Sequence, residues 1–131
     1  MSNLPHIRIV AAEIERDGRY LITQRRAEAA LPMLWEFPGG RVQDGESDSD
    51  ALRRAIRDRL DVGAQVGHRV LHVTHSYDAY ALDMVVYRCA LVGTPRPARV
   101  AEFRWVRPDE FGQYQFPGAD QQTVDALLSG S

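Results

Sequence analysis

Lysine is absent from this chain, and all 16 basic residues are arginine. Two chemistries go with it: a P-loop needs its lysine, and Schiff-base catalysis needs an amine that can lose a proton, which a guanidinium effectively never does. Cysteine is nearly absent. Cys89 stands alone inside the apolar run from Met84 to Val92, which excludes an internal disulfide and a cysteine-based zinc cluster and points to a buried core thiol. No stretch approaches the ~18 apolar residues of a membrane span, and the start, Met1-Ser2-Asn3-Leu4-Pro5, has no basic segment leading into an apolar run. Neither membrane insertion nor export is expected, and the expected location is the cytoplasm. The net charge of −2 provides no basic excess for a nucleic-acid polymer.

What is present is globular composition: 131 residues, 44% hydrophobic and 26% charged, with no visible linker or repeat, so one domain over 1–131 is expected. Its organising stretch runs from Trp35-Glu36-Phe37-Pro38-Gly39-Gly40 through Asp44-Gly45 to Val62. A short strand, a glycine turn whose bare backbone can approach a ligand, a second turn and then a helix follow from those residues. Ser47 caps the helix, Asp48 and Asp50 sit at its positive end, and Leu52, Ile56 and Leu60 form its apolar face from about Ser47 to Leu60.

The remainder reads as strands with a closing helix. Ile7 to Ile14 and Tyr20 to Arg26 pair around an Arg16-Asp17-Gly18-Arg19 turn, and Ala64 to Tyr77 and Ala79 to Val92 are two longer strands joined near Asp78. Val100 to Val106 returns as a strand, Pro108 opens a helical turn, and Val124, Leu127 and Leu128 are the inner side of the last helix. His68, His72 and His75 do not converge as a metal site, because on a strand His75 faces opposite to the other two. Tyr77 and Tyr80 are equally readable as core or as pocket wall. Arg25 or Arg26 at a strand end could grip a phosphate bidentately or be merely solvated.

The organising stretch resembles the Nudix hydrolases, in particular their MutT-like and cytidine-nucleotide pyrophosphohydrolase branch, which carries a similar Leu-Trp-Glu-Phe-x-Gly-Gly run. On the family pattern G-x5-E-x7-R-E-U-x-E-E-x-G-U, with U a bulky aliphatic, Gly40, Glu46, Arg54, Ile56 and Val62 match and Asp58 is a conservative replacement. Ala55, Arg59 and Asp61 stand where the pattern has Glu, Glu and Gly. The resemblance implies an α/β (α+β) fold, the Nudix α-β-α sandwich around a mixed sheet. It also implies Mg²⁺- or Mn²⁺-dependent hydrolysis of a nucleoside triphosphate to the monophosphate and pyrophosphate. By resemblance Glu46, Arg54 and Asp58 are catalytic, and the Gly39 carbonyl and Asp58 are metal ligands. Arg25, Gly39, Gly40, Arg59 and Asp120 are substrate contacts, with Asp120 either reading a base edge or capping a helix.

The departures carry a second expectation. Three carboxylates at i, i+3 and i+4 lie on one helix face and hold the cation, whereas Ala55, Asp58 and Arg59 bring a formal charge of 0 to those positions, so hydrolysis is expected to be weak or lost. Glu102, the acid nearest the strand before Trp105, is expected to be solvated rather than a base. The expected partner is a nucleotide or another small diphosphate, bound by a monomer or homodimer. The alternative is a non-catalytic nucleotide- or metabolite-binding sensor or partner subunit.

Overall fold

A computed structural model describes residues 4–28 and 33–129. The order is β1 (His6–Arg16), β2 (Arg19–Gln24), β3 (Trp35–Glu36), β4 (Gly39–Arg41), α1 (Asp48–Leu60), β5 (Gly63–Ser76), β6 (Ala81–Val92) and β7 (Glu102–Val106). A 3₁₀ turn (Pro108–Gln113) and α2 (Gly118–Leu128) complete it.

β1 is the hub of a mixed seven-stranded sheet: it runs parallel to β6 from His6 opposite Ala81 to Ile14 opposite Cys89, and antiparallel to β4 at Ile9, Val10 and Ala11. Its far end turns into β2, which pairs with both β3 and β7. Asp17 and Gly18 both have positive φ, 52° and 78°, as a two-residue hairpin turn with the right-handed strand twist requires. Two bulges interrupt the β5–β6 register between Val66 and Leu71. They change which face the later residues present. His72 pairs with Asp83, whereas His75 packs edge-on against Tyr77.

Strand alternation divides the core into two layers. Val10, Ala12 and Ile14 point to α1, where Leu52, Ile56 and Leu60 are fully buried, while Ala11 points to the opposite layer with Phe37, Met84, Phe111 and Val124. The sheet therefore lies between α1 on one face and the 3₁₀ turn with α2 on the other, the expected α-β-α arrangement. Cys89 is buried in the α1 layer, and burial pushes its thiol up to about 11, which keeps it protonated and unreactive. Leu128 departs from expectation at 56% exposed. The buried stripe of α2 follows Asp120, Thr123 and Val124, with Leu127 half-buried next in the i, i+3, i+4, i+7 series, and Leu128 falls one position past it.

Candidate functional site

The helix α1 begins as its residues dictate: Ser47 accepts from the Asp50 N–H at 3.1 Å, and Asp48 and Asp50 occupy the first turn. Arg54, one face away, then ties the preceding loop down. Its Nε and Nη2 donate to the two Glu46 oxygens at 2.8 and 2.9 Å, and Nη2 also donates to the Arg41 carbonyl at 2.8 Å. Glu46 accepts in addition from the Gln43 N–H, and with the arginine leading, its carboxyl is held down to about 2. Glu46 and Arg54 thus form a clamp that fixes β4 against α1.

Glycine is demanded where β4 meets β1. A Cβ on Gly39 would collide with the Val10 carbonyl. The bonds from Ala12 N–H to the Pro38 carbonyl and from Val42 N–H to the Arg8 carbonyl set the antiparallel alternation, which turns the Gly39 carbonyl away from β1. On Gly40 a Cβ would lie 3.1 Å from the Ala55 methyl and 3.5 Å from Arg59 Nη1. Ala55, fully buried, and the Arg59 guanidinium therefore cover the glycine strand where the family pattern would place two carboxylates.

A cavity of about 350 Å³ opens beside these glycines, and one of its walls carries Gly39, Gly40, Arg41 and Arg59. Its lining also includes the apolar and aromatic side chains of Ile7, Leu82, Met84, Tyr77 and Tyr80 and a polar group of Arg25, Glu36 and Asp120. Arg25 Nε donates to Glu36 Oε2 at 3.0 Å. Asp120, 7% exposed, accepts from the Phe37 N–H through Oδ1 at 3.2 Å. Burial, reinforced by the Glu36 charge, pushes its carboxyl up to about 8, so it is largely protonated at neutral pH. Helix α2 has Pro117 at its N-cap, and Asp120 in its first turn reaches across to the Phe37 N–H in the β3–β4 connection while also bonding its own backbone N–H. Tyr77 accepts from the Ala119 N–H and stands 5.1 Å from Tyr80 between ring centroids, which makes this pair part of the pocket wall.

Arg25, Gly39, Gly40, Arg59 and Asp120 thus meet in one cleft. Asp58 is exposed and is not among the residues that line the cavity. Its side chain is engaged by Arg99 Nε at 3.3 Å and lies 4.0 Å from Arg59 Nη1. Arg99 arrives there because the N–H groups of Ala98 and Arg99 both donate to the Arg59 carbonyl, laying residues 94–99 across the helix end. Glu102 is paired with Arg104 at 2.7 Å and is partly solvated, as expected of it. Among the described residues no three His, Cys, Asp or Glu side chains gather to hold a metal ion. The donor set does not fit the divalent cation that the family pattern implies: its one box carboxylate, Asp58, stands between the Arg99 and Arg59 guanidinium groups.

Glu36 and Arg41 were not assigned roles from the sequence. Glu36 was recoverable, since it alternates with Trp35 and Phe37, both buried, and so had to face the other way. Arg41 follows the glycines on the same strand, but nothing in its sequence context separates it from any solvated arginine.

A family model of the NUDIX domain matches residues 9–126. The CTP pyrophosphohydrolase of Escherichia coli K12 is 33% identical over 124 residues, covering 94% of this chain and 92% of the relative. The 8-oxo-dGTP diphosphatase of Haemophilus influenzae is 28% identical, covering 92% and 90%. The solution structure of the E. coli ORF135 protein superposes with a TM-score of 0.84 at 32% identity, covering 98% of this chain and 93% of that one. A MutT protein from Methanosarcina mazei Go1 shares the fold, with a TM-score of 0.87 at 18% identity over 99% and 98% of the two chains. With that match over most of its length, the chain belongs to the Nudix family, in the MutT-like branch.

Proposed function

We propose that the cleft binds a nucleoside di- or triphosphate, with the base in the Tyr77–Tyr80 end and the phosphates against Gly39, Gly40, Arg41 and Arg59. We further propose that cleavage to the monophosphate and pyrophosphate is slow. The observation that supports this reading is that one cavity is lined both by apolar and aromatic side chains with a polar group among them and by arginines beside bare glycine backbone. A flat heterocycle and a phosphate chain call for those two kinds of lining. At the base end, Asp120 accepts from the Phe37 N–H through Oδ1 and lines the cavity, where its carboxyl, when protonated, can donate to a ring nitrogen. At the phosphate end the fixed arginines attract charge but activate no water. Loss of two carboxylates should cost more than the ~10- to 100-fold typical of an outer-shell change at a metal site.

The test combines binding and turnover. CTP is the first probe, because the E. coli relative is named for it, followed by 8-oxo-dGTP and the matching nucleosides. Nucleotides should bind better than nucleosides, with turnover below ~1 s⁻¹ in Mg²⁺ or Mn²⁺, the low edge of ordinary enzymes. Turnover in the range of ~1 to 10³ s⁻¹ would refute the slow-cleavage part, and equal affinity for nucleoside and nucleotide would refute the phosphate assignment.

A further inference from the structure

We infer that the phosphate end of this cleft is a metal-independent polyanion site, built by Arg41 and Arg59, whose ligand is the free polyphosphate and not its Mg²⁺ complex. It deepens the nucleotide reading above and rests on it for the identity of the ligand. Four observations carry it. The first is position: Arg59 stands at a family glutamate position and its guanidinium lies over Gly40, 3.5 and 3.8 Å from where a Cβ would be. The second is availability. The Arg59 contact to Asp58 is 4.0 Å, and Asp58 already has Arg99 at 3.3 Å, while Arg41 has no carboxylate partner among the described residues.

The third observation is continuity. A second, more open cavity of about 430 Å³ shares Gly40, Arg41 and Arg59 with the first, so the same two arginines border both cavities. The fourth is charge: the wall of the second cavity carries Arg41, Arg54 and Arg59 against one carboxylate, Asp44. Arg54 is spent on Glu46, which leaves Arg41 and Arg59 to bind.

The sign of the metal effect follows from this arrangement. In a carboxylate-lined site a divalent cation is the bridge between two anions, and binding requires it. Here the protein already supplies the cations. Mg²⁺ on the ligand would cancel two of its charges and occupy the oxygens that guanidinium groups would grip. Added Mg²⁺ therefore weakens binding, the reverse of what the family pattern implies.

The experiment measures affinity for inorganic tripolyphosphate and for the α,β-methylene analogue of CTP, first in EDTA and then across a Mg²⁺ titration at constant ionic strength. The expected result is binding in EDTA that loosens several-fold as Mg²⁺ saturates the ligand and falls at least tenfold in Arg59→Glu and in Arg41→Glu. Circular dichroism and Tm establish that each variant is folded. Should Arg59→Glu fail to fold, exposed Arg41 carries the test with Arg41→Ala and Arg41→Glu. Binding that appears only with Mg²⁺, or affinity unchanged in both charge reversals, overturns the proposal. If the CTP analogue binds but only with Mg²⁺, this inference falls and the nucleotide reading stands. If tripolyphosphate binds as described and the nucleotide binds no better, the inference stands and the base assignment falls. No binding of either probe under either condition overturns both.

Discussion

Asp120 and Glu46 are carboxyls moved in opposite directions by their surroundings, and each leaves a different mark on pH dependence. Asp120 is buried near Glu36, so its folded value, about 8, lies above its ordinary 3.8. The folded chain then holds a proton that the unfolded chain has released, and stability falls as pH rises between those two values. Asp120→Asn keeps an acceptor for the Phe37 N–H and removes the titration. Its Tm should be flatter than the parent's from pH 5 to 8 and higher at pH 8; parallel profiles would show that Asp120 is ionised in the fold. Glu46 moves the other way, from 4.5 to about 2. Its stabilising contribution is present above its unfolded value and disappears as pH falls through about 2. Glu46→Gln should lower Tm at neutral pH, with the difference from the parent shrinking below pH 4, which a thermal melt series would read.

The helix α1 shows what kind of information a sequence carries about an element. Its cap, apolar face and ends were legible because each depends on neighbours within a turn or two: Ser47 on Asp50, and Leu52 on Ile56 and Leu60. The glycine loop was legible for the same reason, and the family pattern supplied its register. The pairing of Asp58 with Arg99 was not legible because Arg99 arrives from a segment held by the carbonyl of Arg59, a contact between residues 40 positions apart that no local spacing encodes. The bulges in β5 were likewise invisible, since two long half-exposed strands can pair in several registers. The C-cap offers a prediction at this scale. Asp61 has φ 50° and ψ 46°, a left-handed conformation in which the family pattern has glycine, and its pairs with Arg57 and Arg96 are 4.0 and 3.9 Å long and exposed. Asp61→Gly should therefore raise stability in denaturant by about 1 kcal/mol, the αL penalty exceeding what such pairs contribute. Ser47→Ala should lower it by about 1 kcal/mol.

At the scale of the whole molecule, the side of the cleft where a cation would sit is assembled by three separate pieces: β4, α1 and residues 94–99. Restoring the two pattern glutamates alone does not rebuild it. Ala55 is fully buried under Gly40, so a glutamate there needs the space that Arg59 now covers, and the two changes must be made together. Even then Arg99 would remain on Asp58. Over positions 55, 58, 59 and 99 the formal charge is +1 in this chain, −2 after Ala55→Glu with Arg59→Glu, and −4 when Arg99→Glu is added. A divalent ion at oxygen ligands needs the carboxylates free as well as present, so the third change decides the outcome. Ligand that binds only the folded state raises stability by RT ln(1 + [L]/Kd), about 2.7 kcal/mol at a hundredfold excess over Kd. Mg²⁺ should accordingly raise the Tm of the triple variant, leave the parent unmoved and shift the double variant little. The triple variant should also hydrolyse CTP faster with Mg²⁺ than the parent does. Should Mg²⁺ raise the parent's Tm as much as the triple variant's, carboxylates outside this cluster would be holding the ion, and the cationic reading of the cleft would fail with it.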